Sequence, residues 1–283
     1  MIYLPLRSYG DFVITLNVIQ QFSGFNLQKI PVVLPKYLTD LYRLLNGDEY
    51  FEIRDILDFE NVPAFNDVKK HCRLKTTKKI FDDYKYLYPF LKKNETYILD
   101  FRSRRMIKRG VKFLWPSDED NIYEGKKRLL EKVFFIKGEK NIGSYNIPSP
   151  QYKKITIFPE SRVNAKALSS SVVNQIDNNL LFNSHVTQIA YLSKDELKKN
   201  EVSYHNFGDL INIIQASDFI ISTDSLPAHI AERFGIPHFV IYNSAPNFQW
   251  MTPFVVKNNF YLVNKGEDHK IVDNIKVIIN TCS

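Results

Sequence analysis

Polar residues that could bind an anion follow a short apolar run near the C-terminal end of the sequence. Phe219–Ile221 precedes the polar cluster Ser222–Ser225, and a helical pattern over Pro227–Phe234 contains His229 and stops at Gly235. Pro at the start and Gly after the end are typical helix boundaries. A helix N-terminus at the carboxyl end of a parallel strand presents free N–H groups and a positive dipole, which predicts a phosphate site. Alternatively, such Asp and Ser residues are plain helix caps and the His is a surface or core residue.

A Gly-Asp pair stands in a similar position near the N-terminus. The apolar run Ile2–Leu6 predicts a strand, and a helix is expected over Phe12–Phe22, with Gly10 and Asp11 between them. Glycine permits a sharp turn there. Taken alone, the aspartate at the mouth of this helix is interpreted as a helix cap.

A second strand-loop-helix pattern begins at Ile155–Phe158. The loop after this strand holds Ser161 and Lys166, a hydroxyl and an ammonium group that could bind phosphate oxygens. Glu196 follows the next predicted strand, His185–Leu192, where an acid often accepts a hydrogen bond from a ribose hydroxyl. The same glutamate would also suit the first turn of a solvated helix.

Three of these segments resemble motifs of the heptosyltransferase-like glycosyltransferases of glycosyltransferase family 9. They are Gly10–Asp11 before the first helix, the Ser161 to Lys166 loop, and Thr223–Ala231 followed by Gly-Ile-Pro. The sequence departs from the family pattern at two places. Leu226 stands where the family usually has Gly, and the residues after Lys166 are Ala and Leu without the family's Trp.

The resemblance implies an α/β fold of two Rossmann-like domains facing across a cleft, the GT-B architecture. It implies that Asp11 is the base toward the acceptor hydroxyl, and that side chains, rather than a metal ion, stabilise the departing diphosphate. No cofactor is expected beyond a nucleotide-sugar co-substrate, with ADP-heptose as one candidate. With Glu196 added, the expected donor-binding residues are Ser161, Lys166, Glu196, Asp224, Ser225, Leu226 and His229.

The expected activity is inverting transfer of a sugar, heptose or a related one, from a nucleotide-diphosphate donor to a lipopolysaccharide-type or other glycan acceptor. Two alternatives stay open. A sugar-nucleotide 2-epimerase uses the same two-domain shape but needs further carboxylates. A catalytically silent binding or scaffold member is the second alternative, and the two departures from the motifs favour it.

The order of predicted elements supports this domain organisation. Alternating strands and helices indicate doubly wound α/β domains, and the stretch 141–150 is rich in Gly, Pro, Ser and Asn, as linkers are. We expect an acceptor-side domain over residues 1–145, a nucleotide-sugar domain over 151–265 and an amphipathic helix over 266–283. The N-terminal domain would be shorter than in the presumed relatives.

Composition points to an ordinary globular protein. Of 283 residues, 44% are hydrophobic and 24% are charged, which is typical of soluble domains. No apolar run approaches the roughly 20 residues of a membrane span, and the first residues read as a strand rather than a signal sequence. Two cysteines far apart match no metal spacing. These features favour a cytoplasmic protein.

Positive charge is concentrated in the first half of the chain. Residues 1–150 hold 26 Lys and Arg against 19 Asp and Glu, whereas residues 151–283 hold 12 of each. The excess peaks in a basic run of five residues. This run comprises Arg102, Arg104, Arg105, Lys108 and Arg109. It could meet an anionic glycolipid acceptor or the inner face of an anionic membrane, or be a solvated loop. No nucleic-acid-binding motif accompanies it.

Overall fold

The structure, a computed structural model, divides into an N-terminal unit, Met1–Lys140, and a C-terminal unit, Asn141–Ser283. It describes residues 1–22, 28–63, 74–100, 108–117, 121–134, 154–161, 166–182, 186–243, 248–263, 273 and 275. Apart from residues 273 and 275, the helix expected over 266–283 lies outside the described residues, as does most of the basic run.

The N-terminal unit is built on a five-stranded parallel sheet. Its strands are Ile2–Leu4 (β1), Ile30–Pro35 (β2), Phe51–Leu57 (β3), Thr96–Leu99 (β4) and Lys112–Leu114 (β5). They lie in the order β3-β2-β1-β4-β5. The chain therefore adds strands on one side of β1 and then crosses to the other side, so β1 and β4 are neighbours joined in register from Ile2 and Tyr97 onward.

In the described part of this unit, four α-helices accompany the sheet. They are Tyr9–Gln20 (α1), Thr39–Leu44 (α2), Leu74–Leu87 (α3) and Ile122–Phe134 (α4). Helix α1 is buried along most of its length, and it packs against α4. The rings of Phe12 on α1 and Tyr3 on β1 both stack on Phe51 of β3, which fixes the helix over the sheet.

The C-terminal unit holds a six-stranded parallel sheet. Its strands are Lys154–Phe158 (β6), Val186–Leu192 (β7), Glu201–Tyr204 (β8), Phe219–Thr223 (β9), His238–Tyr242 (β10) and Tyr261–Val263 (β11). The order is β11-β10-β9-β6-β7-β8, with β6 paired to β9. Strands β9 and β10 are buried at every position, as expected for parallel strands covered on both faces.

Helices connect these strands. They are Ser170–Phe182 (α5), Phe207–Gln215 (α6), Leu226–Phe234 (α7) and Pro253–Asn258 (α8). One apolar core, which includes Ile157, Phe219 and Phe239, lies between the sheet and the helices. None of the helices in the described part of the chain has the length and apolarity that a membrane span requires.

Candidate functional site

The phosphate-binding motifs of the C-terminal unit flank the point where its strand order reverses. Numbered within the unit, the strand order is 3-2-1-4-5-6, and the reversal falls between β6 and β9. Ligands of open parallel sheets bind outside the carboxyl ends of the strands at such a point. Ser161 and Lys166 follow β6, and Asp224 and Ser225 follow β9. The hydroxyl of Thr223 donates to the Glu160 carbonyl (3.4 Å), so the two loops are linked.

Lys166 and Asp224 form an ion pair at this edge of the sheet. Lys166 Nζ lies 2.5 Å from Asp224 Oδ2 and 3.5 Å from the Asp224 carbonyl oxygen. The lysine side chain is 41% exposed, whereas the Asp224 side chain is 8% exposed. A lysine ammonium has three donors, so the exposed group can still bind an incoming anion.

Helix α7 presents its N-terminus directly after these residues. Ser225 is its N-cap, but its hydroxyl donates to the Thr223 carbonyl (3.2 Å) instead of capping the helix. Ser225 is thus a cap by position, without a side-chain hydrogen bond to the helix. Leu226 is the first helical residue and its φ is not positive, so its side chain fits without strain. At the other end, Gly235 adopts a left-handed conformation (φ 66°), as a helix-stopping glycine should.

The other two expected donor residues lie in different surroundings. His229 is buried on α7 near His238 of β10, and it adds to the larger effect of burial in lowering the pKa of His238. Glu196 is exposed on the loop between β7 and β8, where no helix forms, so its helical alternative is wrong. Their roles in donor binding remain predictions.

Asp11 lies in the first turn of α1, beside the reversal point of the N-terminal sheet between β1 and β4. The helix is capped by Ser8, whose Oγ accepts from the Asp11 amide (3.3 Å), so Asp11 is not the cap. The Ser8 hydroxyl also donates to Asp11 Oδ2 (2.5 Å), and Arg7 Nε lies 3.7 Å from the same oxygen. Gly10 is helical, and the chain turns before it.

The Asp11 carboxylate is strongly desolvated, since the residue is 4% exposed. Burial raises the pKa of Asp11 above its ordinary value, while Arg7, Lys126 and the Ser8 hydrogen bond act against that rise. Within the described residues, Asp11 Oδ1 has no hydrogen-bond partner. The carboxylate thus combines a raised basicity with one oxygen left for a ligand.

Two residues beside Asp11 were not predicted from the sequence. Asp100 directly follows β4 and is 1% exposed, and Lys126 on α4 is 4% exposed. Their side chains form an ion pair of 2.9 Å. The sequence position of Asp100 could have indicated a functional role, since an acid at the carboxyl end of a strand beside β1 lies at the reversal point of the strand order. Nothing in the sequence indicates such a role for Lys126, because it belongs to the run Lys-Lys-Arg of a basic helix.

Only the end of the basic run can be described. Lys108 donates from Nζ to the carbonyls of Tyr88 (2.6 Å) and Leu91 (2.5 Å) and lies over the Tyr88 ring. Arg109 is exposed, while Arg102, Arg104 and Arg105 lie outside the described residues. These hydrogen bonds hold Lys108 against the turn that follows α3. Among the described residues, no three His, Cys, Asp or Glu side chains come together as a metal site would require.

Solved structures of glycosyltransferases are similar in fold to this chain. E. coli heptosyltransferase WaaC with ADP matches with a TM-score of 0.66 and 10% identity, over 100% of this chain and 99% of that one. WaaC with ADP-2-deoxy-2-fluoro heptose matches with a TM-score of 0.60 and 10% identity, over 93% and 92%. The fold is that of the GT-B glycosyltransferases.

A third structure is consistent with this assignment. The glycosyl transferase family 9 protein from Veillonella parvula DSM 2008 matches with a TM-score of 0.54 and 12% identity, over 93% of this chain and 86% of that one. No family model matches the sequence, and no curated protein matches it. The resemblance predicted from the three motifs, to heptosyltransferase-like glycosyltransferases, is thus confirmed for the fold.

Proposed function

We propose that this chain transfers a glycosyl group from a nucleotide-diphosphate sugar to an acceptor hydroxyl. The observation that carries the proposal is the meeting of Lys166, Asp224 and the start of α7 at the strand-order reversal of the C-terminal sheet. That position and chemistry suit a diphosphate. Support also comes from the WaaC structures, whose bound molecules are ADP and an ADP-heptose analogue.

The diphosphate would bind between a charged side chain and backbone amides. Lys166 is half-exposed, and its ammonium can hold phosphate oxygens while it keeps or exchanges its contact with Asp224. The amides of Ser225 and Leu226 at the start of α7 would supply further donors, since Pro227 has no N–H and the Ala228 amide is bonded to the Ser225 carbonyl (3.2 Å). Ser161, the residue after Glu160 in the loop that follows β6, would add a hydroxyl group.

These groups would also stabilise the leaving group. As the bond between the anomeric carbon and the phosphate oxygen breaks, negative charge builds on the diphosphate. Fixed donors and a cation aimed at that charge lower the barrier. Because Lys166 and the helix supply this charge stabilisation, the proposed reaction is metal-independent, and EDTA should leave the rate unchanged.

Asp11 would accept the proton of the attacking hydroxyl. The acceptor oxygen forms the new bond to the anomeric carbon, its proton passes to the carboxylate, and the diphosphate leaves, which inverts the anomeric centre. The free Oδ1 is the atom suited to this transfer. It is buried in this structure, so the neighbouring side chains must move to admit an acceptor.

The proposal also covers the donor sugar and the acceptor. ADP-heptose is the first donor to test, because a heptosyltransferase shares the fold. The surplus of basic residues in the N-terminal half favours an anionic glycan or glycolipid acceptor. Peripheral contact with an anionic membrane, through Arg109 and the rest of the basic run, is a further part of the proposal.

A binding experiment tests the donor half of the proposal. Thermal shift and calorimetry with ADP, UDP, GDP and CMP, and with their sugar conjugates, should identify one base that stabilises the protein. Binding stabilises a protein by about 2.7 kcal/mol at a ligand concentration 100 times the dissociation constant. Lys166→Met should reduce this stabilisation to about 1.4 kcal/mol at the same ligand concentration, as a tenfold loss of affinity requires, whereas Lys199→Met, which changes an exposed lysine of the same unit, should keep it in full. No response to any nucleotide would contradict the proposal.

A further inference from the structure

A buried ion pair lies directly beneath the first turn of α1. Lys126 Nζ is 2.9 Å from Asp100 Oδ1, with side chains 5% and 1% exposed. The Tyr3 hydroxyl donates to the same Asp100 oxygen (2.5 Å) and lies 2.9 Å from Thr15 Oγ1. The cluster therefore joins β1, the end of β4, α1 and α4.

The ammonium of Lys126 is bonded to α1 as well as to Asp100. It donates to the backbone carbonyl of Asp11 (2.8 Å) and contacts Thr15 Oγ1 (2.5 Å). Thr15 in turn donates to the Asp11 carbonyl (3.0 Å). Two donors from different elements thus hold the carbonyl of the residue that carries the proposed base. These contacts fix the rotation of the first helical turn and hence the direction of the Asp11 side chain.

Fold stability alone does not account for this pair. Desolvating two charges is costly, and apolar residues of similar volume usually serve a core equally well or better. The surrounding residues, such as Ile19, Ile98 and Leu130, are apolar, so an apolar filling was available. Buried charges that persist in such places are often found beside functional groups.

The two charges act on Asp11 in opposite directions. Burial is the largest cause of the raised pKa of Asp11. Arg7 and Lys126 lower that pKa, and Asp100 raises it. Other described groups near Asp11 in the N-terminal unit are the Ser8 hydroxyl, bonded to Oδ2, Thr15, bonded to the carbonyl, and Tyr3, whose hydroxyl interacts electrostatically with Asp11. Lys126 therefore favours the ionised carboxylate that a general base requires.

We propose that Lys126 is a positioning residue for Asp11: it holds the Asp11 carbonyl and places a buried positive charge, neutralised by Asp100, within reach of the carboxylate. This inference rests on the proposed function, in which Asp11 is the base. It assigns a role in the reaction to a side chain that touches no substrate. It also explains why Asp100 ends the strand beside β1.

The test uses two variants with opposite electrostatic effects. Lys126→Met removes the charge that favours ionised Asp11, so the pKa of Asp11 rises. Asp100→Asn keeps the shape and a polar partner for Tyr3 but removes the opposing charge, so the pKa of Asp11 falls. The pKa is read from the side-chain ¹³C carboxyl signal of Asp11 in the full chain, assigned by its loss in Asp11→Asn. This readout needs no substrate.

The same variants are compared in the pH profile of turnover. The acid limb should move to higher pH in Lys126→Met and to lower pH in Asp100→Asn, while the donor KM stays constant. Lys126→Met should also lower kcat by about 10²-fold, since small displacements of a catalytic group have effects of that size. Arg54→Met is the control, because it breaks an ion pair with Glu95 in the same unit and should move neither the signal nor the limb.

The outcomes separate this inference from the proposed function. A general loss of structure would shift both variants in the same direction, and an unchanged Asp11 signal in both would overturn the inference. If Lys126→Met fails to fold, the Asp100→Asn variant alone tests the inference, because its Asp11 pKa and the acid limb of its pH profile should both move to lower pH. If the Asp11 signal moves as predicted but no donor is consumed, the positioning role stands and the proposed function is wrong.

Discussion

His238 is a fully buried histidine whose neutral form the C-terminal unit requires. Its Nδ1 lies 2.9 Å from the Ile236 carbonyl, which can only accept, so Nδ1 carries the proton. Its Nε2 therefore accepts from the Thr252 hydroxyl (2.7 Å), which caps α8. The nearest carboxylate, Glu232, is 3.8 Å from Nε2 and accepts from the Phe254 amide. Protonation of Nε2 would break this arrangement.

The loss of unfolding free energy at low pH follows from the lowered pKa of His238. Burial lowers the pKa of His238 from 6.5 to about 4. Between these values the unfolded chain binds a proton that the folded chain does not, so the free energy of unfolding falls as pH falls from about 6.5 to 4. Each pH unit of difference corresponds to about 1.4 kcal/mol. The loss between pH 7.5 and 4.5 is therefore about 2–3 kcal/mol.

Urea unfolding of the C-terminal unit measures this loss. The chain has two tryptophans, and a Trp115→Phe background leaves Trp250 as the fluorescent reporter of the C-terminal unit. His238→Gln is the control, because it keeps one donor and one acceptor but does not titrate. Carboxylates distant from His238 titrate equally in both proteins and cancel in the difference. The difference in unfolding free energy should change by about 2–3 kcal/mol over this range, and parallel curves would refute the reasoning.

The other predictions concern the proposed reaction. Asp11→Asn should keep donor affinity and lower turnover by about 10²–10⁴-fold, the usual contribution of a general base, and an unchanged rate would make Asp11 a structural residue. Lys166→Met should weaken binding of the matching nucleoside diphosphate by about tenfold, measured by calorimetry. This is near the lower end of the range for a charge-assisted hydrogen bond, because the lysine side chain is half-exposed. Equal affinity of the variant and the parent would remove Lys166 from the site. Reversing Arg102, Arg104 and Arg109 should raise the acceptor KM at low salt and weaken sedimentation with anionic liposomes, because such attraction acts within a screening length of about 8 Å at physiological salt. The matched control reverses the exposed lysines Lys78, Lys79 and Lys85 of α3, and the same effect in both triple variants would mean that only net charge matters.

Strand patterns predicted the fold well where strands are central and buried. The apolar runs at Ile2–Leu6 and Phe219–Ile221 gave β1 and β9, and with them the positions of both reversal points. Two short edge strands, Lys112–Leu114 and Tyr261–Val263, were not predicted from the sequence. Each has only three residues and is only partly buried. Their strand conformation depends on the neighbouring strand rather than on their own pattern.

One aromatic pattern was misleading. The aromatic residues Tyr84, Tyr86, Tyr88 and Phe90 alternate along the sequence, a pattern that suits an exposed strand or an irregular aromatic surface. The segment is instead the end of α3 followed by a 3₁₀ turn. Tyr86 shows why, since its ring meets Phe59 and its hydroxyl accepts from the Asp58 amide (2.7 Å). Contacts distant in sequence thus set the spacing of these rings.

The candidate site was predicted only in part, for a similar reason. Asp11, Lys166 and Asp224 could be found because their positions after strands and at helix starts carry information in the chain itself. Lys126 could not, because burial of a lysine is possible only once Asp100, 26 residues away, is folded beside it. Nothing in the local sequence records that partner.

Transfer from a nucleotide sugar in a defined assay tests the central claim most directly. The purified chain is incubated with a panel of nucleotide sugars that includes ADP-heptose, together with anionic glycan and glycolipid acceptors, and the released nucleoside diphosphate is quantified. The anomeric configuration of the product is read by NMR. We predict that one donor is consumed in the presence of EDTA, that its product is inverted, and that Asp11→Asn is at least about 10²-fold slower. Consumption of no donor, isomerisation of the donor without transfer, or equal rates for the two proteins would contradict the claim.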